Sequence, residues 1–318
     1  MFNSINEVNQ KFEEKKYICS TEAATVVYLS TKIQKPLLIE GPAGVGKTEL
    51  GKVLADAQGY PLIRLQCYEG LDEAKSLYEW EYSKQLLYMQ ILKDNLSEIT
   101  SGSKSLKEAV EKLNNVEDAF FSEKFLLPRP LLKALINSEP TVLLIDEVDK
   151  ADPEFEAFLL EILSDFQVTI PELGTYSARN PLQVVLTSNN TRDISDALKR
   201  RCLYLYLDFP DQHVEEKIVK SRVPGIYSKL TTDIVEFVNK LRAIDLKKKP
   251  SISETLDWAR VLLTMNAKSL DEKLVNDTLS VLLKYDEDIK KIREEIKKQT
   301  TQREGISFAP EAKKTLVN

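Results

Sequence analysis

Eight consecutive residues, Gly41-Pro42-Ala43-Gly44-Val45-Gly46-Lys47-Thr48, hold three of the chain's ten glycines, followed by a lysine and a threonine. They fit G-x-x-x-x-G-K-[ST], the phosphate-binding P-loop pattern. Glycines let backbone N–H groups close around an anion, a lysine at this place reaches the β/γ-phosphates, and the threonine hydroxyl suits Mg²⁺. Gly41, Pro42, Ala43, Gly44, Val45, Gly46, Lys47, Thr48 and the adjoining Glu49 are therefore candidate nucleotide-binding residues; a plain glycine turn is the alternative. A second constellation is Asp146-Glu147, two carboxylates that end an apolar run. An aspartate there helps to hold Mg²⁺, so Thr48 and Asp146 are the metal candidates. A neighbouring glutamate can polarise an attacking water, a role worth roughly 10²–10⁴ in rate. A solvated pair in a turn is the bland rival.

Two further features carry possible chemistry. Asn189 ends another apolar run, where it orients either the same water or the γ-phosphate, or simply serves a turn. Arg200 and Arg201 precede a strand. A guanidinium that neutralises a transferring phosphoryl group is worth roughly 10³–10⁵ in rate, while a solvated basic pair is the rival reading.

These residues need elements to place them. Leu37-Leu38-Ile39 is a short apolar run suited to a buried strand. Past the glycine loop, Leu50, Val53, Leu54 and Ala57 recur with the period of a helix that buries one face. Strand, glycine loop and helix aim N–H groups and the positive helix end at phosphate. Gly59 ends that helix, and Pro61–Gln66 reads as a second strand. Thr141–Glu147, Val184–Asn189 and Cys202–Leu207 are further strands. Strands that alternate with helices imply a parallel, three-layer α/β fold.

The 318 residues are enough for two domains, and the net charge is −6 with a pI near 5.3. That balance argues against a sequence-independent grip on nucleic acid. No apolar run approaches a membrane span, and residues 1–16 lack a signal-peptide core. Cys19, Cys67 and Cys202 are odd in number and far apart, and His213 is the single histidine. This pattern argues against a disulfide framework or a Cys/His zinc site and sets the cytoplasm as the expected compartment.

In order, residues 1–16 read as a charged, helical lead-in, and Thr21–Ile33 as a helix closed by Pro36. Residues 67–139 interrupt the rhythm and read as an insertion with two helices. One carries Leu86, Leu87, Met89, Ile91 and Leu92; the other carries Val110, Leu113, Val116 and Phe120. A polar, mobile Ser97–Lys104 link joins them. Leu131–Ile136 is a further helix. Asp152-Pro153 starts another, with aspartate as N-cap, and Phe155, Phe158, Leu159, Ile162, Leu163 and Phe166 on one face. Residues 168–178 read as a hairpin. Asp208-Phe209-Pro210 divides the chain into 1–208 and 209–318. The second part is helical, with a polar, frayed stretch from Thr300.

The combination resembles the AAA+ ATPases, and most closely the MoxR-type branch. Within that branch it looks most like the group containing CoxD, linked to maturation of molybdenum–copper carbon monoxide dehydrogenase. The resemblance spans about Tyr17 to Leu263 and rests on Gly41–Thr48, Leu62–Leu71, Leu143–Glu147, Phe155–Thr175, Val185–Asn189 and Asp196–Pro210. It implies a homo-hexameric ring that binds ATP and Mg²⁺ between subunits. By motif position Asn189 matches sensor 1, and Arg201 matches the arginine finger that acts on the neighbour's nucleotide, with Arg200 the adjacent candidate. The resemblance also implies a helix-2 insertion within 67–139, a pre-sensor-1 hairpin at 168–178 and a helical lid from 209. Where such proteins often carry a sensor-2 arginine in a Ser-Pro-Arg context on a lid helix, this chain reads Ser251-Ile252-Ser253-Glu254-Thr255, with Glu254 in the arginine's place and Arg260 further along.

The implied activity is ATP hydrolysis by a chaperone-like remodelling enzyme that assembles or activates a protein client, by metal-cofactor insertion among other routes, together with a von Willebrand factor A domain protein. The alternatives are a nucleotide-gated binding switch with little turnover, and a nucleic-acid-linked motor.

Overall fold

The computed structural model describes residues 2–94, 123–171 and 173–304. Two units, Met1–Asp208 and Phe209–Asn318, can be distinguished by their internal packing. The first begins with α1 (Ile5–Glu14), α2 (Thr21–Ile33), β1 (Leu37–Glu40), α3 (Lys47–Gln58) and β2 (Leu62–Gln66). Next come α4 (Glu73–Ser76), β3 (Tyr78–Trp80), α5 (Tyr82–Asp94), β4 (Leu126–Pro128), α6 (Pro130–Ile136) and β5 (Thr141–Asp146). It ends with α7 (Pro153–Asp165), β6 (Gln167–Ile170), β7 (Gly174–Ser177), β8 (Leu182–Ser188), α8 (Asp196–Arg201) and β9 (Leu203–Tyr206).

Five strands form one parallel sheet in the order β2-β5-β8-β1-β9. The central strands β1, β5 and β8 are buried at every position, as strands covered on both faces should be. Alternation along β5 sorts its side chains. Val142 and Leu144 pack with Val8 and Phe12 of α1, Val27 of α2 and Leu50 and Leu54 of α3. Leu143 and Ile145 pack on the other side with Leu132 of α6 and Phe155 and Leu159 of α7. Asp146 continues the even series, so its carboxylate emerges on the α3 face. The fold is thus the three-layer α/β architecture expected, with helices on both faces of the sheet.

Some local expectations are corrected. Asp152 occupies the N-cap of α7, yet its side chain makes no cap hydrogen bond; Oδ2 instead accepts from the Gly70 N–H at 3.0 Å. The second helix ends at Gln34 in the left-handed region, before Pro36. Leu86, Leu87, Met89 and Ile91 do lie on a helix, α5, but each is about half exposed. They form a near-continuous run rather than a stripe, so no single face gathers them. The helix expected around Val110–Phe120 and the Ser97–Lys104 link lie outside the described residues.

The second unit contains α9 (Gln212–Arg222), α10 (Ser228–Ala243), α11 (Ile252–Thr264), α12 (Glu272–Leu282) and α13 (Asp286–Glu304). Its last helix continues past Thr300, where a frayed stretch was expected, and 305–318 lie outside the described residues. Val219, Ile234, Val238, Trp258, Leu262 and Leu279 form its core. Among the described residues no helix is long and apolar enough to cross a membrane.

Candidate nucleotide site

The glycine loop leaves β1 with no room for side chains at its start. A Cβ on Gly41, whose φ is +149°, would lie 1.9 Å from the Leu207 carbonyl oxygen, so only glycine fits. Gly46 caps α3 in the left-handed region, which turns the loop into the helix. Glu40, the residue before the loop, is buried; it accepts from the Tyr204 hydroxyl at 2.9 Å, and the Lys199 ammonium stands 3.8 Å away.

Lys47 Nζ donates to the carbonyls of Gly41 and Pro42, each at 2.7 Å. Burial pushes its ammonium down to about 8, against the pull of Asp149, Asp146 and Glu147. A cation held so loosely and so near carbonyls is poised for an anionic ligand. Thr48 follows, and its hydroxyl donates to Asp146 Oδ1 at 2.8 Å. Glu49 lies in the first turn of α3, with Lys52 4.0 Å away. Pro42, Ala43, Gly44 and Val45 complete the loop.

The Asp146 carboxylate is nearly fully enclosed and well supplied with donors. Oδ1 also accepts from Thr187 Oγ1 at 2.5 Å, and Oδ2 from Arg64 Nε at 3.1 Å and Arg64 Nη2. Glu147 is half-buried with φ +57°, an uncommon conformation for a residue with a side chain. The Thr187 hydroxyl holds it there by accepting from the Glu147 N–H at 2.9 Å. Glu147 Oε2 accepts from Gln66 Nε2 at 2.9 Å and Lys150 Nζ at 2.6 Å; Oε1 accepts from Asn189 Nδ2 at 3.2 Å.

Asn189 is therefore brought to Glu147. Its own N–H donates to Asp149 Oδ1 at 3.2 Å, and Asp149 Oδ2 accepts from the Thr191 N–H and hydroxyl at 3.0 and 2.6 Å. Burial raises the Asp149 pKa, but the Thr191 hydroxyl and the Thr191 and Asn189 N–H groups outweigh it, and the net shift is downward. Arg200 and Arg201 are not part of this cluster. Arg200 is exposed on α8. Arg201 donates to Ser164 Oγ at 2.6 Å and the Ala197 carbonyl at 3.0 Å. It lines a separate open cleft of 440 Å³ with Ile33, Lys35, Leu163 and Phe166.

Thr48 Oγ1 and Asp146 supply hard oxygens side by side, the donors that Mg²⁺ takes together with ligand phosphates and water. No cluster of three or more His, Cys, Asp or Glu suited to a metal occurs among the described residues. Two protein oxygens would leave the other positions of such an ion to water and ligand phosphates, and Thr48 and Asp146 fit that manner of binding.

Residues 36–202 match the model of the AAA domain, dynein-related subfamily. The chain belongs to that family. Uncharacterised proteins of Staphylococcus aureus, from strains bovine RF122 / ET3-1 and USA300, are each 25% identical over 240 residues, covering 73% of this chain and 77% of theirs. Among solved structures, a mutant of Thermotoga maritima RuvB matches at TM-score 0.46, covering 88% of this chain and 71% of its own. The T. maritima RuvB Holliday junction branch migration motor matches at TM-score 0.43, covering 86% and 69%. Both are 16% identical to this chain.

Several residues of this AAA domain site escape a motif reading: Arg64 and Gln66 on β2, Thr187 on β8, and Asp149 and Lys150 after Glu147. Arg64 and Gln66 do leave a signal, two long polar side chains at i and i+2 of an otherwise apolar strand, hence on one face. The Glu254 departure also has a local cause. Ser251 and Glu254 form a capping box at the start of α11, with Glu254 Oε2 accepting from the Ser251 N–H at 3.0 Å and from its hydroxyl. Glu254 thus serves its own helix terminus. Arg260 pairs with Asp257 on the surface.

Proposed function

We propose that the protein is an ATP-hydrolysing remodelling enzyme of the AAA+ class, acting as a ring, most simply a hexamer, with catalytic parts supplied by two subunits. One observation carries this reading: Thr48, Asp146, Glu147 and Asn189 converge beside the Lys47 loop at the ends of parallel strands. The family membership supports nucleotide binding, and the resemblance to MoxR-type proteins supports ATP over GTP.

In this reading Gly41–Thr48 and Glu49 form the phosphate cradle, and Lys47 exchanges its loop carbonyls for phosphate oxygens. Thr48 and Asp146 hold Mg²⁺, which when bound neutralises charge that develops on the phosphates. Glu147, kept in place by its backbone bond to Thr187, takes the proton of an attacking water as the water's oxygen bonds to the terminal phosphorus and the bond from that phosphorus to the bridging oxygen breaks, so that ADP leaves with the electron pair. Asn189, donating to Glu147 Oε1, aims that carboxylate. Arg201, which lies outside this cluster, serves the neighbour's nucleotide, with Arg200 beside it. Residues 209–318 take the role of the helical lid.

The client is a protein, engaged together with a von Willebrand factor A domain partner in the cytoplasm, and activation by metal-cofactor insertion follows the CoxD-like resemblance. Neither nucleic acid nor membrane is part of this account.

The test is a pair of variants. Lys47→Ala should abolish ATP binding, whereas Glu147→Gln should retain binding and lose roughly 10²–10⁴ of turnover. Unchanged turnover in both would sink the proposal. Retained binding with no turnover in the wild type, alone or with a partner, would favour the nucleotide-gated switch.

A further inference from the structure

Asp146 is the most enclosed carboxylate of the site, with its side chain 2% exposed, yet the cation that balances it is Arg64, whose side chain is 45% exposed. The fork is unusual. Nε and Nη2 of Arg64 both donate to Oδ2, because Oδ1 is already taken by Thr48 and Thr187. Nη2 also donates to Gln66 Oε1 at 2.5 Å, and Gln66 in turn donates to Glu147. Register explains the arrangement. Gln66 lies opposite Asp146 and Arg64 opposite Leu144, so both β2 side chains share the face on which Asp146 emerges. Among the described residues β2 is an edge strand of the sheet, and the Arg64 side chain is 45% exposed.

A buried carboxylate is costly without a counter-charge. Arg64 is that charge, and it sits on an oxygen of the residue that the nucleotide reading assigns to Mg²⁺. The geometry points to Arg64 as a built-in counter-cation that competes with the divalent ion for Asp146, so that metal loading and release of Arg64 are one exchange. This rests on the nucleotide-binding reading of the site. A hydrated divalent ion draws its electrostatic benefit from the same negative charge that Arg64 neutralises. The metal requirement of nucleotide binding is therefore set by how firmly Arg64 holds on. The exposed side chain gives the guanidinium a route into solvent when it is displaced.

The experiment is equilibrium binding of N-methylanthraniloyl-ADP to the full chain, titrated with Mg²⁺, for wild type, Arg64→Met and Arg64→Lys. Arg64→Met removes the charge and keeps the length; the Mg²⁺ concentration at half-maximal binding should fall roughly three- to tenfold. Binding without Mg²⁺ should weaken, because Asp146 then faces the phosphates uncompensated. Arg64→Lys keeps a charge but cannot reach Asp146 and Gln66 together, so its midpoint should move the same way by less. Should the methionine variant fail to fold, the lysine variant carries the test. A midpoint unchanged or raised in the folded variants overturns the exchange, including where only thermal stability changes, since that is the outcome of a purely structural Arg64. Failure of the underlying reading looks different: wild type would show no Mg²⁺-dependent binding, or Lys47→Ala would bind as well as wild type.

Discussion

Two arginine–carboxylate pairs, one in each unit, have the same chemistry and opposite settings. Arg242 and Glu215 of the helical unit are 7% and 0% exposed. Nη1 and Nη2 of Arg242 reach the two oxygens of Glu215 at 2.6 and 2.8 Å, Nε donates to the Pro250 carbonyl, and the guanidinium stacks over Phe209. Thr255 also donates to Glu215. Nothing in that cage is left to exchange. The Arg64–Asp146 pair has one buried and one half-exposed member, crowds one oxygen, and is chained to a second carboxylate through Gln66. A closed pair specifies a fold, whereas an open pair beside a phosphate loop is equipped to be broken by a ligand. Burial of both members, rather than the presence of the pair, separates the two.

The largest expected effect lies in the closed pair. Arg242→Ala strands a buried carboxylate and should cost about 3–5 kcal/mol in denaturant unfolding. Arg64→Met, by contrast, should cost clearly less, because Arg64 itself is half-exposed and Asp146 keeps the Thr48 and Thr187 hydroxyls as donors. Equal losses would erase the distinction. Asp149→Ala should fall between them, at about 1–3 kcal/mol, because the Thr191 and Asn189 donors lose their acceptor. It should also lower turnover by releasing Asn189 from its place beside Glu147; full turnover in that variant would show that Asn189 needs no such anchor. Glu254→Ala removes half of a capping box and should cost about 1 kcal/mol in stability, with ATP affinity unchanged. A large loss of affinity would instead give Glu254 a role toward nucleotide.

The smallest effect is a proton. Burial depresses Lys47 to about 8, so near and above that pH much of it is neutral. Phosphate favours the charged form, so ADP binding at about pH 8.5 should take up part of a proton, an uptake that shrinks as pH falls toward about 7.5. Calorimetry in two buffers of different ionisation enthalpy reads this directly. Equal heats at the higher pH, once dilution is subtracted, would contradict the depressed lysine. The folding linkage has the matching sign. Because the folded value lies below the ordinary 10.5, Lys47 opposes folding at neutral pH, and that penalty fades as pH rises from about 8 toward 10.5.

What the sequence made legible was local or periodic. Gly41–Thr48 is contiguous, and Asp146 follows from the alternation of an apolar strand, so both could be placed with their elements. The helical character of the second unit was readable as well. The contacts that decide how the site works are long-range. Arg64 meets Asp146 across 82 residues and Thr187 meets it across 41, and neither pairing leaves a local pattern. Asp152 shows the converse: its N-cap position is visible in Asp-Pro, but the side chain goes to Gly70, a partner only the fold supplies. Glu254 looked like a missing arginine by motif position, and its capping-box geometry gives it a structural task instead. Arg201 was readable as a basic residue before a strand, while its distance from the Lys47 cluster required coordinates.

In the proposed ring, one subunit's site is completed by Arg201 of a neighbouring copy. The most direct test is ATP turnover per subunit measured from dilute to concentrated protein, with Arg201→Ala alongside. Turnover per subunit should rise with concentration and level off, and the Arg201→Ala variant should bind ATP but stay near the dilute-limit rate. Turnover per subunit that is constant across the range, or undiminished in Arg201→Ala, would contradict it.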